Sequence, residues 1–258
     1  MSPLTHSPAP GAAPMTRMVL SHAAMETRLL LRNGEQVLLA LVIPLLVLLG
    51  GAEAGGVIDL GAGRRIDVLA PGVMALAVMS TAFTSLAIAT AFERRYGVLK
   101  RLGASPLPRT GLLLGKVGSL LAIEVVQMSL IAGVGLWLGW QPSGGIGATF
   151  GAGLLLLLGT GAFAGLGLLM AGSLRAEATL AAANLVYVVL LAAGAVVLPV
   201  SAYPRAMEAV VTMLPSGALA QGLRDVTSGA GLGLSPVVVL TVWAVAAAAL
   251  TARTFRWE

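Results

Sequence analysis

Glu124 and Gln127 stand three residues apart in a run, 117–140, that holds no other charge. On a helix they share a face, roughly 10 to 15 Å in from Val117 at about 1.5 Å per residue. A carboxyl at that depth in lipid is costly, so it is expected to face a bundle interior or a wet cavity. Three roles are open to Glu124: contact with a substrate or gate, an interhelical hydrogen bond, or snorkelling to the interface. Asn184 and Tyr187 form a similar pair in a later apolar run. Thr81, Thr84 and Ser85 mark another run, but such hydroxyls more often bond their own helix. Catalysis finds little material here. The chain has no cysteine, and its two histidines, His6 and His22, precede the first apolar run, which excludes thiolate and intramembrane imidazole chemistry. Glu124 has no histidine or second carboxylate beside it in the apolar runs. The nearest phosphate-loop lookalike, GLLLGKV at 111–117, has three residues between its glycines instead of four, and Val117 where a metal-binding hydroxyl is needed. No catalytic, cofactor-binding or metal site is expected in this chain.

A second group of residues is suited to contact rather than reaction. The 25 residues 92–116, FERRYGVLKRLGASPLPRTGLLLGK, lie between two apolar runs and hold six of the sixteen basic residues: Arg94, Arg95, Lys100, Arg101, Arg109 and Lys116. Tyr96, Leu99 and Leu102 recur at helical spacing with Arg94 and Arg101 on another face, which predicts a short amphipathic helix over 93–102. Gly103 suits a left-handed terminal position, and Pro106 and Pro108 stop the helix. Such an element is too short to be a domain and well suited to be gripped by a separate cytosolic protein. Tyr96, Leu99 and Leu102 would supply apolar knobs; Glu93, Arg94, Arg95, Lys100 and Arg101 would set the register. The alternative is that these charges only fix topology and bind anionic lipid.

Composition says what must position these residues. With 57% apolar and 10% charged residues and a mean hydropathy of +0.93, the chain has too little polar surface for a soluble globule. It reads as an all-α polytopic membrane protein. Six spans are expected, at about 36–52, 68–92, 117–140, 146–174, 178–200 and 236–252, some longer than the ~20 residues needed to cross the hydrocarbon. The first is roughly 26 Å long at helical rise and carries Pro44 near its centre, where a kink is expected. Residues 1–15, rich in Pro, Ala and Ser, read as a disordered tail, and 16–258 as a single membrane domain. Within it, 16–33 reads as an interfacial helix. Arg17, Ser21, Arg28 and Arg32 form its polar stripe, Val19, Leu20, Ala23, Leu30 and Leu31 lie roughly opposite, and Glu26 sits at the margin.

The basic residues decide orientation. With the N-terminus inside, inner segments hold twelve basic residues and outer segments four, Arg64, Arg65, Arg205 and Arg224. This split satisfies the positive-inside rule and places both termini and the 92–116 loop in the cytosol. The same placement accounts for the net charge of +5 without nucleic acid. Outer segments 53–67 and 141–145 are too short for a receptor domain. Segment 201–235 is divided by Pro204 and Pro215, and one or two short helices are expected there, at the outer interface or dipping into it. In the second, Leu219, Leu223 and Val226 oppose Gln221, Arg224 and Asp225. Glycine pairs such as Gly111 and Gly115, Gly135 and Gly139, Gly147 and Gly151, and Gly161 and Gly165 have the spacing of close helix contacts.

In this order the residues resemble a known family. LRNGEQ before a first span with a central proline, ERRYGVLKRLGASPLPR after the second, and LPSGALAQGLRD before the sixth look like the permease subunit of an ABC-2 type transporter. The resemblance is strongest to the daunorubicin-resistance branch of bacterial drug and lipid exporters. Its most specific part is an E-R-x-x-G-x-L-x-x-L-x-x-[ST]-P pattern, matched by Glu93, Arg94, Gly97, Leu99, Leu102, Ser105 and Pro106. The resemblance implies a dimeric permease, with a second subunit that is the same or homologous. It also implies two separate ATPase subunits, which carry the ATP and magnesium and push on a coupling helix at 93–102. A bacterial inner membrane is expected, and fourteen Arg to two Lys agrees with a GC-rich genome. Spans dominated by Leu, Ala, Val and Gly suit export of a hydrophobic or amphipathic cargo, such as a drug, lipid or lipid-linked glycan. Glu124, Gln127, Asn184 and Tyr187 are the candidates for its path or gate. A secondary transporter, or a non-transporting membrane anchor for an ATPase, is the alternative.

Overall fold

The computed structural model describes residues 13–32, 34–53, 64–103 and 107–255, and no strand occurs among them. The helices are α1 (Met15–Arg32), α2 (Gly34–Glu53), α3 (Arg65–Val78), a π-helical segment (Met79–Ser85), α4 (Leu86–Arg95), α5 (Val98–Gly103) and α6 (Arg109–Trp137). They continue as α7 (Gly145–Ser173), α8 (Ala176–Ala193), a 3-10 turn (Val200–Ala202), α9 (Arg205–Met213), α10 (Pro215–Thr227) and α11 (Leu234–Thr254). Five stretches are long and apolar enough to cross a membrane: Arg65–Arg95, Thr110–Trp137, Gly145–Ser173, Ala176–Ala193 and Leu234–Thr254. Helix α2 runs on through Pro44, and the part of it whose side chains are described, Ala40–Glu53, is a shorter apolar stretch. Most of the tail, the Gly-rich segment before Arg64, and Ser105, Pro106 and Arg256 lie outside the described residues.

The rod formed by α3, the π-helical segment and α4 is the centre of the fold. Every α3 residue from Leu69 to Val78 is buried, as expected of a helix that is apolar all round. Against it lies α7, with the Phe83 and Phe163 rings 6.5 Å apart. Gly167 lets the two backbones meet, because a Cβ there would sit 2.9 Å from the Phe83 carbonyl oxygen. The far side of α7 takes α11. A Cβ on Gly165 would approach the Ala247 methyl to 2.8 Å, and Thr251 donates to the Gly165 carbonyl at 3.1 Å. The Gly161 and Gly165 spacing is therefore used for a helix contact. Gly147, by contrast, has open space.

Three expected boundaries are corrected. The helix over 93–102 is not continuous: α4 carries the long rod through Arg95, the chain turns at Tyr96 and Gly97, and α5 begins at Val98. Gly97, at φ +70, takes a left-handed position in the turn between α4 and α5, and Gly103 is the last described residue of α5. The third run starts at Arg109, with Pro108 as its N-cap, so the GLLLGKV sequence is helix rather than loop. The fifth ends at Ala193 instead of near 200, where the chain leaves the helix at Gly194 and Ala195 adopts φ 52.

Helix α1 packs along α6 through a face centred on His22 and Ala23. His22 and Ala23 are buried and Glu26 points inward, whereas Leu20 and Leu31 are 68% and 53% exposed. The contact is close because Gly115 and Gly118 face His22 and Ala23; a Cβ on Gly115 would overlap the imidazole.

Candidate functional site

The segment from Glu93 to Leu102 is anchored at several points before it presents anything. Glu93 accepts from the Lys116 ammonium at 2.8 Å, and the same ammonium reaches Glu26 of α1 at 3.2 Å. Lys116 is only 3% exposed, so two carboxylates from two other helices surround one buried cation. Arg94 donates to the Gly172 carbonyl at 2.7 Å and to that of Leu174, capping the C-terminal end of α7. A guanidinium suits that position, since carbonyls at a helix end carry partial negative charge. Arg95 pairs with Glu177 in the first turn of α8 and lies 5.9 Å over the Tyr96 ring. The segment thus connects to α1, α6, α7 and α8.

What remains on the outside is narrower than the pattern suggested. Leu99 is 1% exposed and packed within the chain, so it is not a free apolar knob; Leu102 is half-buried. Within the chain, Arg94 is bonded to α7 and Glu93 to Lys116. Tyr96 is 64% exposed beside Arg95, and Lys100 and Arg101 are exposed on α5. The left-handed Gly97 makes this presentation possible, because an L side chain at that φ is strained.

The intramembrane candidates do not converge on one point. Glu124 is 4% exposed and accepts a hydrogen bond from the Thr160 hydroxyl of α7. Gln127, 1% exposed, donates to the Ala40 carbonyl of α2 at 2.8 Å and to the Thr81 hydroxyl at 3.0 Å. Thr81 lies in the π-helical segment, a local widening that often accompanies a functional site or a change in helix direction. Glu124 and Gln127 therefore link α6 to three neighbours. Asn184 and Tyr187 part company: the Asn184 amide is exposed and donates to the Leu180 carbonyl of its own helix, while Tyr187 is half-buried and bonds Ser80.

Two sites were missed from sequence. One is the cluster of His22, Glu26, Glu93 and Lys116, in which His22 Nε2 lies 3.6 Å from Glu26. Burial, assisted by the nearby Lys116 charge and opposed by Glu26, lowers the His22 pKa below its ordinary 6.5. A usable signal was Gly115 and Gly118 flanking the only lysine next to an apolar run. The other is Arg224, counted among outer charges but 6% exposed. Its guanidinium donates to the carbonyls of Val68 at 3.2 Å, Ala195 at 2.7 Å and Val196 at 2.7 Å. Burial pushes its pKa down to about 10, so it stays cationic at neutral pH. The small-residue run SGALAQG in α10 was the signal that this helix packs closely on several sides.

A family model for the ABC-2 type transporter matches residues 15–227, from the first residue of α1 to the last of α10. No curated protein matches the chain.

Proposed function

The chain belongs to the ABC-2 type transporter family, and from that premise we propose that it is a permease subunit for export, driven by separate ATPase subunits. It is a multi-pass membrane protein of a family whose membrane domains work with an ATPase. In this reading α2 is a sixth span beside the five longer ones, α1 lies in the cytosolic interface, and both termini face the cytosol. Two ATPase subunits and a second permease, identical or homologous, complete the assembly in a bacterial inner membrane, and the chain falls in the daunorubicin-resistance branch in this reading. The cargo is hydrophobic or amphipathic, in keeping with apolar helices and few buried charges. The chain itself performs no nucleotide chemistry, a reading supported by the helical state of 111–117.

One observation carries the proposal. The Tyr96 and Arg101 surface is exposed, while the residues around it tie the same segment to α1, α6, α7 and α8. Force applied there reaches most of the bundle without passing through a flexible loop. The docking role consequently shifts from the whole of 93–102 to Arg95, Tyr96, Lys100 and Arg101, with Glu93, Arg94 and Leu99 as the mounting. Co-expression with an ATP-binding cassette ATPase tests this. Tyr96→Ala with Arg101→Glu is expected to leave insertion and thermal stability unchanged and to abolish co-purification. Retained co-purification and export would remove the docking role.

A further inference from the structure

A cavity of about 260 Å³ lies between α1, α2, α4, α6 and the π-helical segment. Its walls are largely apolar, but Glu26, Glu93 and Lys116 line one end. Leu29, Leu31 and Val126, also in its lining, are 57%, 53% and 45% exposed, so the cavity opens sideways past α1 rather than into the centre of the bundle. Among the described residues, two carboxylates face one ammonium; burial lowers the His22 pKa and raises that of Glu93, which the Lys116 charge and hydrogen bond hold down in part. Arg28 and Arg32 do not compensate, since both are exposed on α1 and neither lines the cavity. A volume below the usual 300 Å³ or more of drug-sized sites is too small for a whole ligand. It suits a headgroup and the first methylenes of a chain that continues out through the mouth.

We propose that this cavity binds the ammonium head of an amphiphile entering from the adjoining membrane leaflet, with Glu26 and Glu93 as the anionic acceptors. The ammonium adds a second cation to a site that has one for two carboxylates, and the chain follows the apolar wall toward Leu29 and Leu31. An anionic head would meet the two carboxylates and is excluded by the same charges. The step from binding to transport rests on the permease reading; binding itself does not.

The test uses the full-length chain in phosphatidylglycerol nanodiscs, with dodecylamine carrying a photoreactive diazirine in its chain and the matching dodecanoate as control. Saturable amine labelling of α1, α2 or α6 beside the cavity is expected, with little from dodecanoate. Glu26→Gln and Glu93→Gln should each weaken labelling about tenfold, the scale of one charge-assisted hydrogen bond. Ala89→Phe, which fills the cavity and leaves the charges in place, should block labelling even if a Gln variant disturbs α1. Adding phosphatidylethanolamine separates the sources: displacement of the probe identifies a membrane lipid as occupant, and no displacement identifies a free cationic amphiphile. Equal labelling by amine and carboxylate, or labelling unchanged in Glu93→Gln and Ala89→Phe, would overturn the site. Neither result touches ATPase association, which tests the permease reading separately.

Discussion

At the Glu93 end of the central rod, the buried cation is Lys116, held by carboxylates from α1 and α4. At the Val68 end it is Arg224, hydrogen-bonded to backbone carbonyls. The Lys116 cluster consists of side chains on separate helices, and its carboxylates keep 14% and 24% exposure, so water can take over part of their solvation if the helices part. Arg224 offers a planar fork of donors to carbonyls that a helix would otherwise occupy, and it fixes the unwound segment after α8 against α3. Packing reinforces the contrast. A Cβ on Gly72 would overlap the Val196 carbonyl oxygen and come within 2.7 Å of the Arg224 guanidinium. The arrangement describes a rigid end and a remodelable one, with the proposed ATPase contact mounted on the remodelable end.

The largest expected effect is therefore at the rigid end. Arg224→Met strips donors from several buried carbonyls and should destabilise the fold by about 4 kcal/mol or more, seen as loss of monodisperse protein or a large fall in Tm. Gly72→Ala, whose methyl would displace the Val196 carbonyl and the Arg224 guanidinium, should reproduce much of that loss with the arginine still in place. Lys116→Met should cost less, about 2 kcal/mol, because its two carboxylates are partly hydrated. It should loosen α1 selectively, which proteolysis within 15–32 would detect. Equal losses at the two ends would erase the distinction between them.

The smallest effect is a pH dependence confined to the remodelable end. The folded His22 binds a proton less readily than the unfolded chain, so stability rises with pH through its titration. The contribution is complete above about pH 6.5, the ordinary histidine value, and is lost as pH falls below it. Glu93, whose pKa burial raises, acts with the opposite sign, so the decline assigned to His22 between about pH 8 and 5.5 is the part of the thermal-unfolding profile that His22→Gln removes. An unchanged slope would place the titration elsewhere.

The sequence made the helices and their order readable, because uncharged runs bounded by charges can be counted. The role of Gly97 was half legible: its place in the family pattern was seen, but its left-handed turn was not. The side-chain partnerships were hidden for a specific reason. Amphipathic analysis assumes that charges face outward, yet Glu26, Lys116 and Arg224 are turned inward onto partners distant in sequence. Burial of Leu99 was concealed by the same assumption in reverse, since an apolar residue on a charged helix reads equally as a knob for a partner and as packing. Asn184 and Tyr187 looked like a pair by spacing, but local bonding to the Leu180 carbonyl sends the asparagine elsewhere.

Because the chain has no cysteine of its own, the proposed ATPase contact can be probed with one introduced thiol at a time. Tyr96→Cys or Arg101→Cys, treated in membranes with a short thiol-to-amine cross-linker, is expected to capture a co-expressed ATPase subunit, whereas Arg205→Cys on α9 is not. Capture from position 205 with none from 96 or 101 would contradict the account.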